Sequence, residues 1–250
     1  MSGDPRNGGE RGKADLHLHT LYSDGTASVG ELLSWIEERT DLDLVAITDH
    51  ERIDGARRAQ ELHAAGEFSF ELVTGEEVTT RRGHLLALFI DERIPPLRPL
   101  DETVARIHAA GGIAVAAHPI APLTPSIGVA SLRSLHHDPD PARHLDGIEL
   151  FNPSAAGRLR HSARRRLNEE LLALPAVGFS DAHVLEGVGT AWTWFPGTTG
   201  AEFRAALAAG ATEPAGEHWS TWHNVHVYHR QLVAKARHLA HTLRPSGEWR

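Results

Sequence analysis

The sequence has no cysteine, no long apolar run and a shortage of positive charge. The absence of cysteine excludes disulfides, thiolate metal ligands and cysteine nucleophiles. No segment approaches the roughly 20 apolar residues that span a bilayer, so no membrane partner is expected. Lysine and arginine total 25 against 33 aspartates and glutamates, which gives a net charge of −8. A basic surface for a nucleic-acid polymer is therefore not expected.

Histidine is abundant, with 18 residues in a chain of 250. Histidine is the commonest metal ligand in proteins and also carries protons near neutral pH. At roughly 150 residues per domain, the length favours one large domain over two small ones. The hydrophobic fraction of 41% and the charged fraction of 23% are ordinary for a globular protein. Histidines grouped at strand ends would indicate a metalloenzyme.

Short aliphatic runs alternate with helical stretches along the chain. The predicted strands are 14–20, 43–48, 69–79, 83–90, 112–117, 145–150, 175–180 and 190–195, and the predicted helices are 28–39, 54–65, 101–110, 157–173 and 200–209. Strands that alternate with helices are typical of a parallel sheet, here closed as a barrel. Residues 119–145, rich in proline and histidine, are predicted to form a long loop that shapes the site.

The chain is divided into three parts by composition. Residues 1–13 are polar and glycine-rich without an apolar signal core, and we expect a disordered tail. Residues 14–212 are expected to form the barrel, and 213–250 a C-terminal extension that is mainly helix. Apolar residues recur at helical spacing across 222–243. This helix either docks on the barrel or forms a contact between copies in a homo-oligomer. A cytoplasmic location is expected.

His17 and His19 form a pair at the end of the first predicted strand. Alternate side chains of a strand share a face, so Leu16 and Leu18 are expected on one face and the histidines, with Asp15, on the other. Two imidazoles at this spacing can bind one cation. Taken alone, the pair fits two partly exposed polar side chains on a strand face better than a metal site, because such pairs are common by chance.

Other predicted strands deliver the same kinds of side chain at one end. The recurring donors are Asp49 and His50, Glu76 and Glu77, His84, His118, and Asp181 with His183. Because the ends of barrel strands converge on one rim, where active sites lie, these side chains are expected to meet. Imidazole and carboxylate together predict a shared metal site there.

These residues, in this order, resemble the motifs of the PHP (polymerase and histidinol phosphatase) superfamily. The motifs are Asp15-Leu16-His17-Leu18-His19-Thr20, Tyr22-Ser23-Asp24-Gly25-Thr26, Thr48-Asp49-His50, Gly75-Glu76-Glu77, Gly83-His84, Ala117-His118-Pro119 and Ser180-Asp181-Ala182-His183. The resemblance covers roughly residues 14–195 and is specific as a set. The stretch from Gly75 to Thr80, with Gly83 and His84, particularly resembles the carbaryl hydrolase-like branch.

The resemblance implies an α/β fold, a distorted (β/α)7 TIM-like barrel, with a trinuclear metal centre at the strand ends. The implied ligands are His17, His19, Glu77 and Asp181 for the first metal, Glu77, His84 and His118 for the second, and Asp24, His50 and His183 for the third. Glu77 bridges the first two, and Glu76 faces the other side of its strand. About three protein ligands per metal leave positions open for water and substrate.

The donors are all nitrogen and oxygen, which suits Mn²⁺ or Zn²⁺, and also Fe²⁺, better than Mg²⁺. Glu77 and Asp181 are expected to position three divalent ions, and Asp181 or His183 is a candidate proton carrier. Three further residues are candidates for substrate binding, although turn arginines also commonly face water: Arg81, Arg82 and Asn152. Asp15 and Asp49 are candidates to orient ligand histidines, or are solvated or capping residues.

The expected activity is hydrolysis of a phosphate ester, either a monoester or a small nucleotide diester, by a metal-activated water. One alternative is hydrolysis of a carboxylic or carbamate ester at the same centre. Another is a non-catalytic metal-binding regulatory module, which would be expected to have lost ligands. The expected partner is a small phosphorylated or ester substrate, and the shared cage leaves the substrate open because fold does not settle function.

Overall fold

The computed structural model describes residues 11–122, 124–222 and 224–230, and in this part of the chain nine strands form one sheet. The strands are β1 (Arg11–Asp15), β2 (Leu44–Ile47), β3 (Glu71–Thr80), β4 (Gly83–Leu88), β5 (Ile113–Ala116), β6 (Gly147–Phe151), β7 (Ala176–Gly178), β8 (Ala191–Pro196) and β9 (Glu213–Gly216). Their order across the sheet is β7-β6-β5-β4-β3-β2-β1-β8-β9.

The sheet is mixed, although most of its strands run in one direction. β1, β2 and β3 pair in parallel, as do β5, β6 and β7, whereas β4 and β8 are antiparallel to their neighbours. The short turn at Arg81 and Arg82 reverses the chain between β3 and β4. The first residues of β4 therefore lie at the edge where the parallel strands end. The predicted distorted TIM-like barrel is confirmed.

Two kinds of contact nearly close the sheet into a barrel. Between β7 and β8, the Thr193 hydroxyl accepts from Gly178 N at 2.9 Å and donates to Gly178 O at 3.0 Å. Nearer the carboxyl edge of the strands, Leu18 and Ala182 form an isolated parallel bridge. This bridge joins the chain beyond β1 directly to the chain beyond β7. The carboxyl edge thus becomes a ring of strand ends.

Hydrophobic side chains divide between the inside of the barrel and its outer layer. The inner cluster includes Leu16, Leu86 and Phe179, and α7 (Gly200–Ala208) adds Phe203 and Leu207. Leu18 packs in the outer cluster instead. The predicted grouping of Leu16 and Leu18 on one face is therefore wrong, because β1 ends at residue 15 and strict alternation ends with it.

The outer layer consists mainly of helices. They are α1 (Val29–Arg39), α2 (Asp54–Ala65), α3 (Leu100–Ala109), α4 (Val129–His136), α5 (Ala155–Leu159) and α6 (His161–Leu167). Ser28 and Glu31 form a capping box at the start of α1, which satisfies backbone donors that the helix leaves free. The predicted helix at 28–39 therefore begins one residue later than expected.

Two predicted segments differ from the structure. The single helix predicted at 157–173 is instead α5, α6 and a π-helical stretch, Asn168–Leu172. Ser154 starts α5 by accepting from Gly157 N, and the chain leaves helical geometry at Arg160, which ends α5 and precedes α6. The predicted loop at 119–145 contains α4 and a short 3-10 helix, Pro141–Arg143.

The sheet extends past both ends of the predicted range 14–212. β1 takes in the last residues of the predicted 1–13 tail, and β9 lies within the predicted 213–250 extension. Residues 1–10 and 231–250 lie outside the described residues. In the described part of the extension, 221–222 and 224–230 are helical, and Val227 packs against Trp219 and Val184. No helix among the described residues is long and apolar enough to cross a membrane.

Candidate metal centre

Two donor pairs meet at the bridge between Leu18 and Ala182. His17 and His19 flank Leu18, and Asp181 and His183 flank Ala182. The backbone fixes this register, because His19 N donates to Ala182 O at 3.0 Å. At this bridge, Asp181 Oδ1 lies 3.3 Å from His19 Nε2 and 3.4 Å from His17 Nε2. The bridge thereby brings the two local pairs side by side.

Glu77 lies at the centre of the site on β3 and is only 1% exposed. Its two carboxylate oxygens face different histidines. The Oε1 atom lies 2.7 Å from His84 Nδ1 and 3.0 Å from His118 Nε2. The Oε2 atom lies 3.1 Å from His17 Nε2 and 3.3 Å from both His19 Nε2 and His50 Nδ1. A carboxylate in this position can bridge two cations.

Asp24 gathers a third set of imidazoles. Its Oδ1 atom lies 3.1 Å from His183 Nε2, 3.7 Å from His50 Nε2 and 3.9 Å from His19 Nδ1. His183 Nδ1 lies 2.9 Å from the carbonyl oxygen of Asp181. Donation to that carbonyl places the ring proton on Nδ1 and leaves the Nε2 lone pair free for a ligand.

The donor atoms fall into three overlapping groups that can each hold a metal ion. The groups are His19, Asp24, His50 and His183; His17, His19, Glu77 and Asp181; and His50, Glu77 and His84. All nine predicted ligands meet around Glu77, either in these groups or, for His118, through Glu77 itself. The third group contains His50 where the resemblance implied His118.

The side chains fit a cation because several buried nitrogens have no hydrogen-bond partner. Among the described residues, both ring nitrogens of His19 and Nδ1 of His118 make no hydrogen bond. Buried polar atoms are nearly always satisfied in folded proteins, and exceptions call for an explanation such as an ion. A metal ion satisfies a ring nitrogen lone pair without a proton.

The charges of the site favour cations. Burial raises the pKa of the Glu77 carboxyl, but His84, His50 and His17 outweigh burial and hold this pKa well below its usual range. Burial lowers the pKa of His19, but Asp181 and Glu77 outweigh it and raise the pKa to about 10. Burial lowers the pKa of His50 to about 3. Carboxylates stay ionised here, and metal ions compete with protons for the imidazoles.

Two predicted ligands have strained backbones. The φ angles of His118 and Asp181 are 29° and 53°, in the left-handed region that non-glycine residues rarely adopt. Such geometry costs about 1–3 kcal/mol per residue and persists only where surrounding structure enforces it. His118 lies two residues after β5 and Asp181 three residues after β7, where the chain turns and brings both side chains to the other candidate ligands.

Asp15 and Asp49 fix loops and orient no ligand histidine directly. Asp15 accepts from Ser180 N at 2.9 Å and Gly189 N at 3.0 Å, which anchors the chain before Asp181. Burial raises the pKa of Asp15 to about 6, against these hydrogen bonds. Asp49 accepts from Thr20 N, Thr20 Oγ1 and Ser23 Oγ. The loop that carries Asp24 is therefore held from the end of β2.

Sequence reasoning missed Glu149. This residue is fully buried on β6, and its Oε2 accepts from His118 N, while its Oε1 lies 3.5 Å from His17 Nδ1. The available signal was a single carboxylate within the otherwise apolar strand Gly147–Phe151. A charged residue is rarely fully buried unless it has a partner.

The three candidate substrate-binding residues have different surroundings. Asn152 is buried, and its Nδ2 donates to Asp181 Oδ2 at 3.3 Å. Arg81 is exposed, and its Nε donates to Leu97 O at 3.0 Å. Arg82 is also exposed. Both arginines lie at the tip of the β3–β4 hairpin, at the carboxyl edge of the barrel, and substrate binding by all three stays a prediction.

The comparisons with known proteins give the family. The PHP-associated (PHP_C) family model matches residues 165–212. An uncharacterized protein of Methanocaldococcus jannaschii is 34% identical over 151 residues, which cover 56% of this chain and 81% of that protein. The chain belongs to the PHP superfamily. The resemblance of its motifs to this superfamily is thereby confirmed.

This PHP chain is also similar to parts of two longer proteins. A 5'-3' exoribonuclease of Haemophilus influenzae is 36% identical over 92 residues, which cover 35% of this chain and 32% of that enzyme. A two-domain protein of Bacteroides vulgatus, containing a predicted PHP-like metal-dependent phosphoesterase, superposes with a TM-score of 0.66 at 18% identity. That match covers 84% of this chain and 66% of the Bacteroides protein, and it shows the fold alone.

Proposed function

We propose that this PHP chain is a metal-dependent hydrolase that acts on phosphate esters, either a monoester or a small nucleotide diester. The observation that carries the proposal is the division of five imidazoles between the two oxygens of Glu77. His17, His19, Glu77 and Asp181 would hold one divalent ion, Glu77 with His84 and His118 a second, and Asp24, His50 and His183 a third. Mn²⁺, Zn²⁺ and Fe²⁺ suit these donors.

Such ions, when bound, supply Lewis acidity and bring the pKa of a water molecule near neutral. The protein residues hold the ions close together, and three cations match the charge of a phosphate dianion better than that of a neutral ester. The names of two similar proteins, an exoribonuclease and a predicted phosphoesterase, support phosphate esters as the class.

Individual side chains have distinct parts in this proposal. Asn152 donates to Oδ2 of Asp181. This hydrogen bond would orient the other carboxylate oxygen of Asp181, Oδ1, toward the imidazoles of His17 and His19. His183 donates from Nδ1 to the carbonyl oxygen of Asp181, which would direct its Nε2 to the third ion beside Asp24. Arg81 and Arg82 would attract an anionic substrate at the rim.

The test compares three chromogenic substrates: a phosphate monoester, a phosphate diester and a carboxylic ester. Chelator-stripped protein is reloaded with Mn²⁺ or Zn²⁺ before the assay. We expect metal-dependent release from a phosphate substrate. Release from the carboxylic ester alone would overturn the phosphoesterase assignment in favour of an ester hydrolase. Metal binding without turnover of any of the three would favour a regulatory module.

Two neighbouring carboxylates provide a matched pair of variants for this assay. Glu77→Gln should reduce kcat by at least about 100-fold because it removes a charge that faces five imidazoles. Glu76→Gln should retain activity, because the equally buried Glu76 accepts from Ile94 N in a loop outside the barrel. Circular dichroism checks that both variants fold. Equal losses of activity in the two would contradict the assignment of Glu77.

A further inference from the structure

Glu149 contacts two of the candidate metal ligands, His17 and His118. It lies on the face of β6 that points into the barrel and is fully buried. One carboxylate oxygen accepts from the backbone N–H of His118, and the other faces Nδ1 of His17 at 3.5 Å. His17 and His118 lie on opposite oxygens of Glu77. One carboxylate thus contacts ligands of two different candidate metal positions.

We infer that Glu149 is a positioning residue that orients His17 for one metal and His118 for the neighbouring metal. The inference rests on the metal centre of the proposed function and extends it to the residue that aligns two of its positions. A neutral imidazole carries one proton, so binding a cation through Nε2 requires the proton on Nδ1. Glu149 Oε1 is the acceptor that His17 Nδ1 faces. A ring movement of about 0.5 Å brings the pair into normal hydrogen-bond range.

The role toward His118 concerns the backbone. His118 has a φ of 29°, and a buried charge-assisted hydrogen bond to its N–H stabilises that strained conformation. The ring of His118 then reaches Glu77 Oε1 at 3.0 Å. Loss of the bond would let the backbone relax and would withdraw the imidazole from the site.

Arg164 is a buried cation close enough to Glu149 for the charge of Glu149 to affect its pKa. Its side chain is fully buried, and its Nη2 donates to Gly157 O at 2.7 Å. Burial lowers the pKa of Arg164, and the charge of Glu149 opposes this change.

Glu149→Gln is the decisive substitution because it keeps the shape and reverses one hydrogen bond. The amide oxygen remains with His118 N–H, so the amide NH2 faces His17 Nδ1 and donates to it. That favours the tautomer with the proton on Nε2, which cannot bind a cation there. Loss of such an orienting partner typically weakens metal binding by about 10- to 100-fold.

The experiment titrates Mn²⁺ into chelator-stripped full-length wild type, Glu149→Gln and Glu76→Gln by calorimetry. We expect a Kd raised about 10- to 100-fold in Glu149→Gln. The matched control Glu76→Gln, another buried carboxylate that accepts a backbone N–H, should stay within about twofold. Wild-type affinity in Glu149→Gln, or an equal loss in both variants, would overturn the inference.

A second readout separates positioning from packing. Asp181 and Glu77 outweigh burial and raise the pKa of His17, so the tautomer is measured at a pH where its ring is neutral. Nitrogen-15 NMR of labelled histidines in the metal-free protein should then show the His17 proton on Nδ1 in wild type and on Nε2 in Glu149→Gln, with His17→Asn assigning the signal. An unchanged tautomer overturns the inference. Glu149→Asp keeps the acceptor and should bind Mn²⁺ more tightly than Glu149→Gln; equal weakness of both would indicate packing alone. If Glu149→Gln does not fold, the tautomer of His17 in wild type is the test, and a proton on Nε2 there overturns the inference.

These measurements do not depend on turnover. Mn²⁺ binding that needs Glu149, in a protein inactive on phosphate esters, would refute the proposed function and support this inference. A wild-type protein that binds no Mn²⁺ would refute both.

Discussion

Replacing Asp49 with alanine would remove the carboxylate that holds the loop carrying Asp24. Asp49 is fully buried and accepts three hydrogen bonds from that loop. Two come from Thr20, through its backbone N–H at 2.8 Å and its hydroxyl at 2.6 Å, and one comes from the Ser23 hydroxyl. Since Asp24 directly follows Ser23, this substitution affects both stability and the metal centre.

The size of the effect follows from these three bonds. A hydrogen bond to a charged group contributes about 1.5–3 kcal/mol. The two hydroxyls can turn toward new partners, and removing a buried charge restores part of its desolvation cost, so the contributions are not additive. We expect Asp49→Ala to lower the free energy of unfolding by about 3–5 kcal/mol. For a chain of this length, that corresponds to a Tm lower by about 10 °C.

Urea unfolding at 25 °C and Mn²⁺ stoichiometry measure the two consequences. We expect one fewer tightly bound ion per chain, because Asp24 joins His50 and His183 in one group. Asp41→Ala is the control, since Asp41 forms an exposed ion pair with Lys13 and should cost under about 1 kcal/mol. An Asp49→Ala protein within about 1 kcal/mol of wild type, with unchanged stoichiometry, would refute the assigned role of this carboxylate.

Two further predictions concern the same loop and a distant ion pair. Gly25→Ala should cost about 1–3 kcal/mol in urea unfolding, because a β-carbon there would lie 2.4 Å from His19 O. Gly30→Ala, whose nearest contact would be 4.0 Å away, should not destabilise, and equal effects would contradict this account. Hydrogen bonding to Asp146 raises the pKa of His108, so its stabilisation is full below about pH 6.5 and disappears as pH rises through the folded-state pKa. The free energy of unfolding of wild type, relative to that of His108→Gln, should therefore decrease as pH rises through this range. An NMR pKa for folded-state His108 at or below its unfolded-state pKa would contradict this prediction.

Errors in the predicted elements arise where chain geometry depends on contacts rather than on local pattern. The apolar periodicity across 157–173 is helical, but it does not reveal the break at Arg160 or the π-helical stretch that follows. Likewise, Gly128 precedes α4 at the N-cap position and has no side chain to cap it, so the start signal that marks α1 is missing. Sequence patterns locate the α1 boundary because Ser28 and Glu31 are themselves the physical cause of it.

The nature of the donors was determined by the sequence, because it depends on local spacing. His17 with His19, and Asp181 with His183, stand two residues apart just after predicted strands, and the recurrence of such donors at several strand ends predicts a shared metal site. The antiparallel direction of β4 relative to β3 also follows from the sequence, because only two residues separate these strands and so short a turn reverses the chain. These features need no information about distant residues.

The tertiary structure alone decided which donors lie together and which groups contact them. The bridge between Leu18 and Ala182 aligns residues more than 160 positions apart, and no local spacing encodes that register. The strained turn at His118 and the approach of Glu149 to His17 likewise depend on how β5, β6 and β1 pack in the closed ring. Register between strands is set by the packing of the whole barrel, whereas the choice of donor is set residue by residue.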